Sequence, residues 1–92
     1  MTDPDQIALW EFPAGDFAAW SALLCEAGDT PEVANHADYL TLLASVQADL
    51  ERQGQRVQRV RLSVAGMRQE LQALHLTNTA GNRAAVVGLL TD

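Results

Sequence analysis

At 92 residues, with 48% hydrophobic and 20% charged residues, the chain has ordinary globular composition and room for one hydrophobic core, which excludes a second domain. The single Cys25 and the lack of an apolar run long enough to span a bilayer exclude an internal disulfide framework and a transmembrane helix. A net charge of −6 argues against bulk affinity for nucleic acid or an anionic membrane, and the start Met-Thr-Asp-Pro-Asp-Gln lacks the basic segment of a signal peptide, so a cytoplasmic location is expected.

Ile7 to Phe12 carries large apolar residues at both parities and stops at Pro13-Ala14-Gly15, the pattern of a short strand. Asp16 is placed to cap a helix over 17–27, where Phe17, Trp20, Leu24 and Ala27 recur at helical spacing before Gly28. Thr30-Pro31-Glu32 reads as the start of a short helical turn, and Asp38 as a second possible cap. The stripe Tyr39, Leu43, Val46, Leu50 predicts an amphipathic helix from Tyr39 to Gln53, with Gly54 as its stop. From Arg56 to Leu62 the alternation of Val60 and Leu62 with Arg59 and Arg61 is that of a half-exposed strand. Ser63 then caps a helix with the stripe Val64, Met67, Leu71, Leu74, slightly weakened by Gly66. After the polar run 77–82, a last helix over about 82–90 puts Val86, Val87 and Leu90 on one side. The expected fold is a small α+β single domain over residues 1–92, in the order β-α-α-β-α-α, with two short strands covered by helices. Strand direction is left open.

Charge is divided along the chain. Residues 1–51 hold ten acids and no Lys or Arg, for a formal −10, whereas residues 52–92 hold all six arginines against two acids, for +4. The aromatic residues also fall in the first half. Either the halves face each other and partly neutralise, or they form a polarised surface that docks a partner or a second copy.

Catalytic chemistry finds little support. One Cys and two His cannot complete a zinc shell; in the nearest constellation Glu32 and His36 would share a face if that turn is helical, but with Asp38 the motif is short and unspecific and reads rather as a boundary histidine and a cap beside a helix start. His75 suits a helix C-terminus. Cys25 lies beside Glu26 without the electropositive surroundings of a reactive thiol, and the six glycines stand singly, which leaves no phosphate-cradling loop. Neither an enzyme nor a cofactor is expected. Trp10 and Trp20, with Phe12 and Phe17, are expected to build the core; the alternative is an exposed aromatic patch of the kind found at interfaces.

Residues 64–90 resemble the helix-extension-helix modules typified by the SAP domain. The likeness rests on a helix with Met67, Arg68 and Leu71, an apolar stop at Leu76, and Gly81-x-Arg83-Ala84 opening a second helix with Val86, Val87 and Leu90. The resemblance implies phosphate contacts from Arg68 and Arg83, with Arg59 and Arg61 presented about 7 Å apart by the preceding strand. The segment departs from the family in lacking lysine, in His75 where glycine is usual, and in a longer spacer. The leading expectation is a non-enzymatic protein-interaction or accessory module, binding a protein partner or itself. The alternative is a nucleic-acid-binding accessory protein. The candidate partner-binding residues are Arg59, Arg61, Arg68, Arg83 and Trp10.

Overall fold

The computed structural model describes residues 6–91; residues 1–5, with Asp3 and Asp5 of the acidic half, and Asp92 lie outside them. Two strands, β1 (Gln6–Glu11) and β2 (Arg56–Arg61), flank two helices, α1 (Phe17–Glu26) and α2 (His36–Arg52), and are followed by α3 (Val64–Ala73) and α4 (Ala80–Leu89). The order is β-α-α-β-α-α, and the class is α+β. The strands are parallel, paired in step from Gln6 opposite Arg56 to Glu11 opposite Arg61. Parallel pairing requires a long crossover, which α1 and α2 supply.

Register decides which residues share a face. Ile7, Leu9 and Glu11 lie on the face of Val57, Arg59 and Arg61, while Ala8 and Trp10 lie with Gln58 and Val60. Arg59 Nε donates to Gln47 Oε1 at 2.9 Å, which sets α2 over the first face. On the second, Trp10 and Val60 join Val64, Met67 and Leu71 of α3 and Val86 and Val87 of α4 in one core. A two-stranded ribbon is marginal alone. Here helices support both faces.

Helix starts follow local capping, with departures from the sequence expectation. Ser63 accepts from Gly66 N at 3.0 Å as expected, and a Cβ at Gly66 would lie 2.7 Å from Leu62 Cδ1, so the glycine admits a close approach at the start of α3. Asp16 makes no side-chain cap on α1; it ends a 3-10 turn (Ala14–Asp16), and its carboxylate instead accepts from Val64 N at 2.9 Å, capping α3 across the fold. The expected helical turn at Thr30-Pro31-Glu32 is absent. Asn35 accepts from Asp38 N at 2.9 Å and starts α2 at His36, three residues before Tyr39. Thr79 accepts from Asn82 N and starts α4 at Ala80, so Gly81 lies inside that helix.

Helix ends share one geometry. After α1, Asp29 N reaches Leu24 O; after α2, Gln55 N reaches Leu50 O; after α3, Leu76 N reaches Leu71 O. The residue required in the left-handed region is Gly28 (φ 81), Gly54 (φ 85) and His75 (φ 56). Side-chain burial rotates slightly from the expected stripes: Leu23, not Ala27, completes the buried face of α1, and Leu74 and Leu90 are exposed at helix ends.

Candidate functional site

The two electrical halves meet through specific ion pairs. Glu11 at the end of β1 receives Arg59 Nη1 at 3.1 Å and Arg61 Nε at 3.2 Å, both from its pairing partner β2. The residues lie on one sheet face because the strands run in register, Arg61 directly opposite Glu11 and Arg59 opposite Leu9. Glu26 near the end of α1 receives both terminal nitrogens of Arg68 from α3. Asp29, just past α1, receives Arg83 Nη2 at 2.8 Å from α4, while Arg83 Nη1 donates to Asn78. Asn78 in turn donates to Leu23 O at 2.8 Å, so this cluster ties the end of α1 to α4. Each of the four candidate arginines therefore carries an acid from residues 1–51.

Their exposure differs. Arg83 is buried, and Trp10, the fifth candidate, is buried with its indole N–H donating to Leu62 O at 2.7 Å. The five do not form one surface. Arg61 is the most accessible of the four candidate arginines, its side chain 87% exposed, and with Arg59 it shares a single carboxylate. Arg68 and Glu26 are both exposed, and their paired hydrogen bonds hold the Glu26 carboxyl below its ordinary pKa and raise that of Arg68.

The aromatic residues converge on Phe12, which is 1% exposed. Its ring stacks on Trp20 at 4.9 Å and lies 4.4 Å from Tyr39 and 5.8 Å from Trp10, centroid to centroid. Tyr39 Oη donates to Trp10 O at 2.6 Å. Burial pushes the Tyr39 hydroxyl up to about 12; the Glu11 charge adds to the shift and Arg59 opposes it. His36 Nε2 lies 2.8 Å from Phe12 O, and because a carbonyl can only accept, that nitrogen carries the proton. Trp10 and Phe12 share a parity, so these two carbonyls point away from β2. Tyr39 and His36 thus cover the C-terminal half of the outer edge of β1.

Two clefts open beside this cluster. One of about 440 Å³ lies at the C-terminal ends of the strands, lined by Pro13, His36, Arg61 and Ser63 among others. Its imidazole is held by Phe12 O and its guanidinium by Glu11. The second, of about 310 Å³, follows the outer edge of β1 between α2 and α4. Ala8, Leu9 and Trp10 contribute from β1, Tyr39 and Leu43 from α2, and Arg83, Ala84 and Val87 from α4, with Trp20 and Leu24 from α1. An apolar recess with few polar groups is the usual form of a binding site.

Among the described residues, no three His, Cys, Asp or Glu side chains are placed to hold a metal ion, and no helix is long and apolar enough to cross a membrane. Glu32 lies outside any helix, so it shares no helix face with His36. Cys25 is exposed. No protein-family model, curated protein or solved structure matches the chain. Tyr39, Asn78 and Asp29 also belong to these clusters, although in the sequence Asn78 and Asp29 carry only turn signals and Tyr39 is one member of an apolar stripe.

Proposed function

We propose that the chain is a non-enzymatic protein-interaction module, an accessory subunit that docks its partner in the cleft along β1. The observation that carries this reading is the cleft itself: an apolar recess walled by Trp10, Trp20 and Tyr39 and open to solvent. Buried aromatic pockets of this kind receive the anchor residues of protein partners. The arginines support the same reading, because their pairing with Glu11, Glu26 and Asp29 competes with any phosphate.

Nucleic-acid binding is the second reading, favoured by the Arg59–Arg61 pair, in which two guanidiniums share one carboxylate. Parallel affinity capture with the wild-type chain, Ala84→Glu and Arg59→Gln/Arg61→Gln separates the two. Protein retained by the wild type and the arginine variant but lost from Ala84→Glu is the expected result. Nucleic acid retained with a steep salt dependence, and lost from the arginine variant, would replace the first reading with the second.

A further inference from the structure

The ladder between β1 and β2 uses only half of the backbone groups of β2. Leu62 N donates to Glu11 O at 3.3 Å, which fixes the alternation: Gln58, Val60 and Leu62 turn their N–H and C=O groups toward β1, and Val57, Arg59 and Arg61 turn theirs outward. The sheet is two-stranded, and no described residue bonds to these outward groups. The other edge is treated differently. On β1, Tyr39 Oη occupies Trp10 O and His36 occupies Phe12 O, so side chains of α2 stop that edge while the edge of β2 stays open.

A row of alternating backbone donors and acceptors is matched by the backbone of another extended chain. The edge is six residues long, about 20 Å, bounded by the turn at Gly54 and the cap of α3 at Ser63. The backbone supplies the attachment, and charge selects among strands. Arg59 and Arg61 lie on the side-chain face of the outward residues and share the single carboxylate of Glu11, which leaves that face one positive charge in excess. Arg61 commits only Nε to Glu11, and its side chain is 87% exposed. A second copy of β2 would bring its own arginines to this face, and like charges across a ladder repel. Carboxylates at alternate positions of an incoming strand meet the excess instead.

We infer that the outer edge of β2 receives an extended, acidic segment of a protein partner as a third strand, its alternate carboxylates facing Arg59 and Arg61. This surface lies across the sheet from the cleft along β1 and does not depend on it.

The probe is the peptide acetyl-Thr-Glu-Thr-Glu-Thr-Glu-Thr-amide, titrated into the isotope-labelled full chain and followed by amide NMR. Before it is added, the amides of Val57, Arg59 and Arg61 are expected to exchange with solvent faster than those of Gln58, Val60 and Leu62, which lie in the ladder. Peptide is expected to shift the three outward amides and, at about ten times Kd, to slow their exchange about tenfold. A version with lysine for glutamate is expected to bind at least about tenfold more weakly. Two N-methylated isomers separate pairing from charge: one carries the methyl groups on the glutamate nitrogens, the other on the internal threonine nitrogens. One isomer is expected to lose binding and the other to keep it, and which one does so reads the strand direction. Arg59→Gln/Arg61→Gln is expected to weaken the acidic peptide about tenfold, and Arg61→Gln alone, which alters only an exposed side chain, about threefold. Ala84→Glu, in the cleft at the opposite edge, is expected to leave it unchanged.

Slow exchange at Val57, Arg59 and Arg61 in the dilute free protein would mean a covered edge and end the inference, as would unmoved amides at tens of millimolar peptide. Slowing that appears on concentrating the protein alone would make a second copy the occupant and overturn the acidic partner. Equal binding of the glutamate and lysine peptides removes the charge argument, and N-methyl isomers that behave alike remove strand pairing. Loss of the peptide from Ala84→Glu would place it in the cleft and not on β2.

Discussion

His75→Gly should make this protein more stable. His75 occupies the left-handed region at φ 56 just beyond α3, in the position that Gly28 and Gly54 fill after α1 and α2. A Cβ in that region costs about 1–2 kcal/mol, with histidine at the tolerant end. Glycine adds freedom to the unfolded chain, which takes back about 0.4–1 kcal/mol. The His75 side chain is exposed, so its removal forfeits little packing. The net gain is up to about 0.6 kcal/mol, or up to about 2–5 °C in Tm for a domain of this size. Urea unfolding followed by tryptophan fluorescence, with thermal unfolding by circular dichroism, measures it. His75→Ala is the control, because it truncates the side chain but keeps the Cβ; it should be no more stable than the wild type. If the glycine variant is no more stable than the alanine variant, the left-handed strain at this helix end is not what the φ angle implies.

Tyr39 is the sole tyrosine, so its ultraviolet titration is unambiguous and should centre near 12. Because this folded-state pKa is raised, the associated stability is complete below the ordinary value of 10.0 and is lost as pH rises through about 12; Tyr39→Phe should abolish that loss while costing about 1–2 kcal/mol at neutral pH by stranding Trp10 O. Glu26 shifts the opposite way. Its lowered pKa gives a contribution present above the ordinary 4.5 and lost as pH falls through the depressed value, and Arg68→Gln should move the Glu26 carboxyl titration, followed by NMR, back toward 4.5 with little change in neutral-pH Tm. Asp16→Ala should cost about 1 kcal/mol of unfolding free energy, read from urea denaturation, although Asp16 lies outside α3, because Val64 N loses its acceptor.

Where local chemistry decides, the sequence was readable. Period-two alternation marks β2, an apolar run stopped by Pro13-Ala14-Gly15 marks β1, and Ser63, Gly28 and Gly54 mark helix boundaries that the structure keeps. Where a tertiary partner decides, it was not. Asp16 reads as the cap of the helix that follows it, yet its acceptor role is taken by a helix 48 residues on. Asn35 won the start of α2 over Asp38 because its extended backbone aims its side chain at an amide in the first turn. His75 carries no glycine signal, so the end of α3 had to be inferred from the apolar stripe. The division of charge was visible residue by residue, but the pairing of Glu11, Glu26 and Asp29 with particular arginines depends on parallel register and helix docking, which no window of local sequence contains. The cleft along β1 has the same origin: its walls come from four elements, and only their packing brings Trp10, Trp20, Tyr39 and Arg83 together.

The parallel pairing of β1 with β2 also constrains how the chain comes to be folded. β1 is among the first described segments to be synthesised, yet the strand it pairs with among the described residues lies 50 residues later, after both crossover helices. Sheet formation must wait for that closure, a non-local step that slows folding. During the wait, Ile7, Leu9, Trp10 and Phe12 have no β2, α3 or α4 to pack on, and the same stretch of chain bears ten negative charges and no positive ones. Like-charge repulsion between nascent copies opposes their aggregation over that interval. The arginines then arrive with the very elements that complete the sheet and core, so the electrostatic protection is withdrawn as the apolar surface it guards becomes buried.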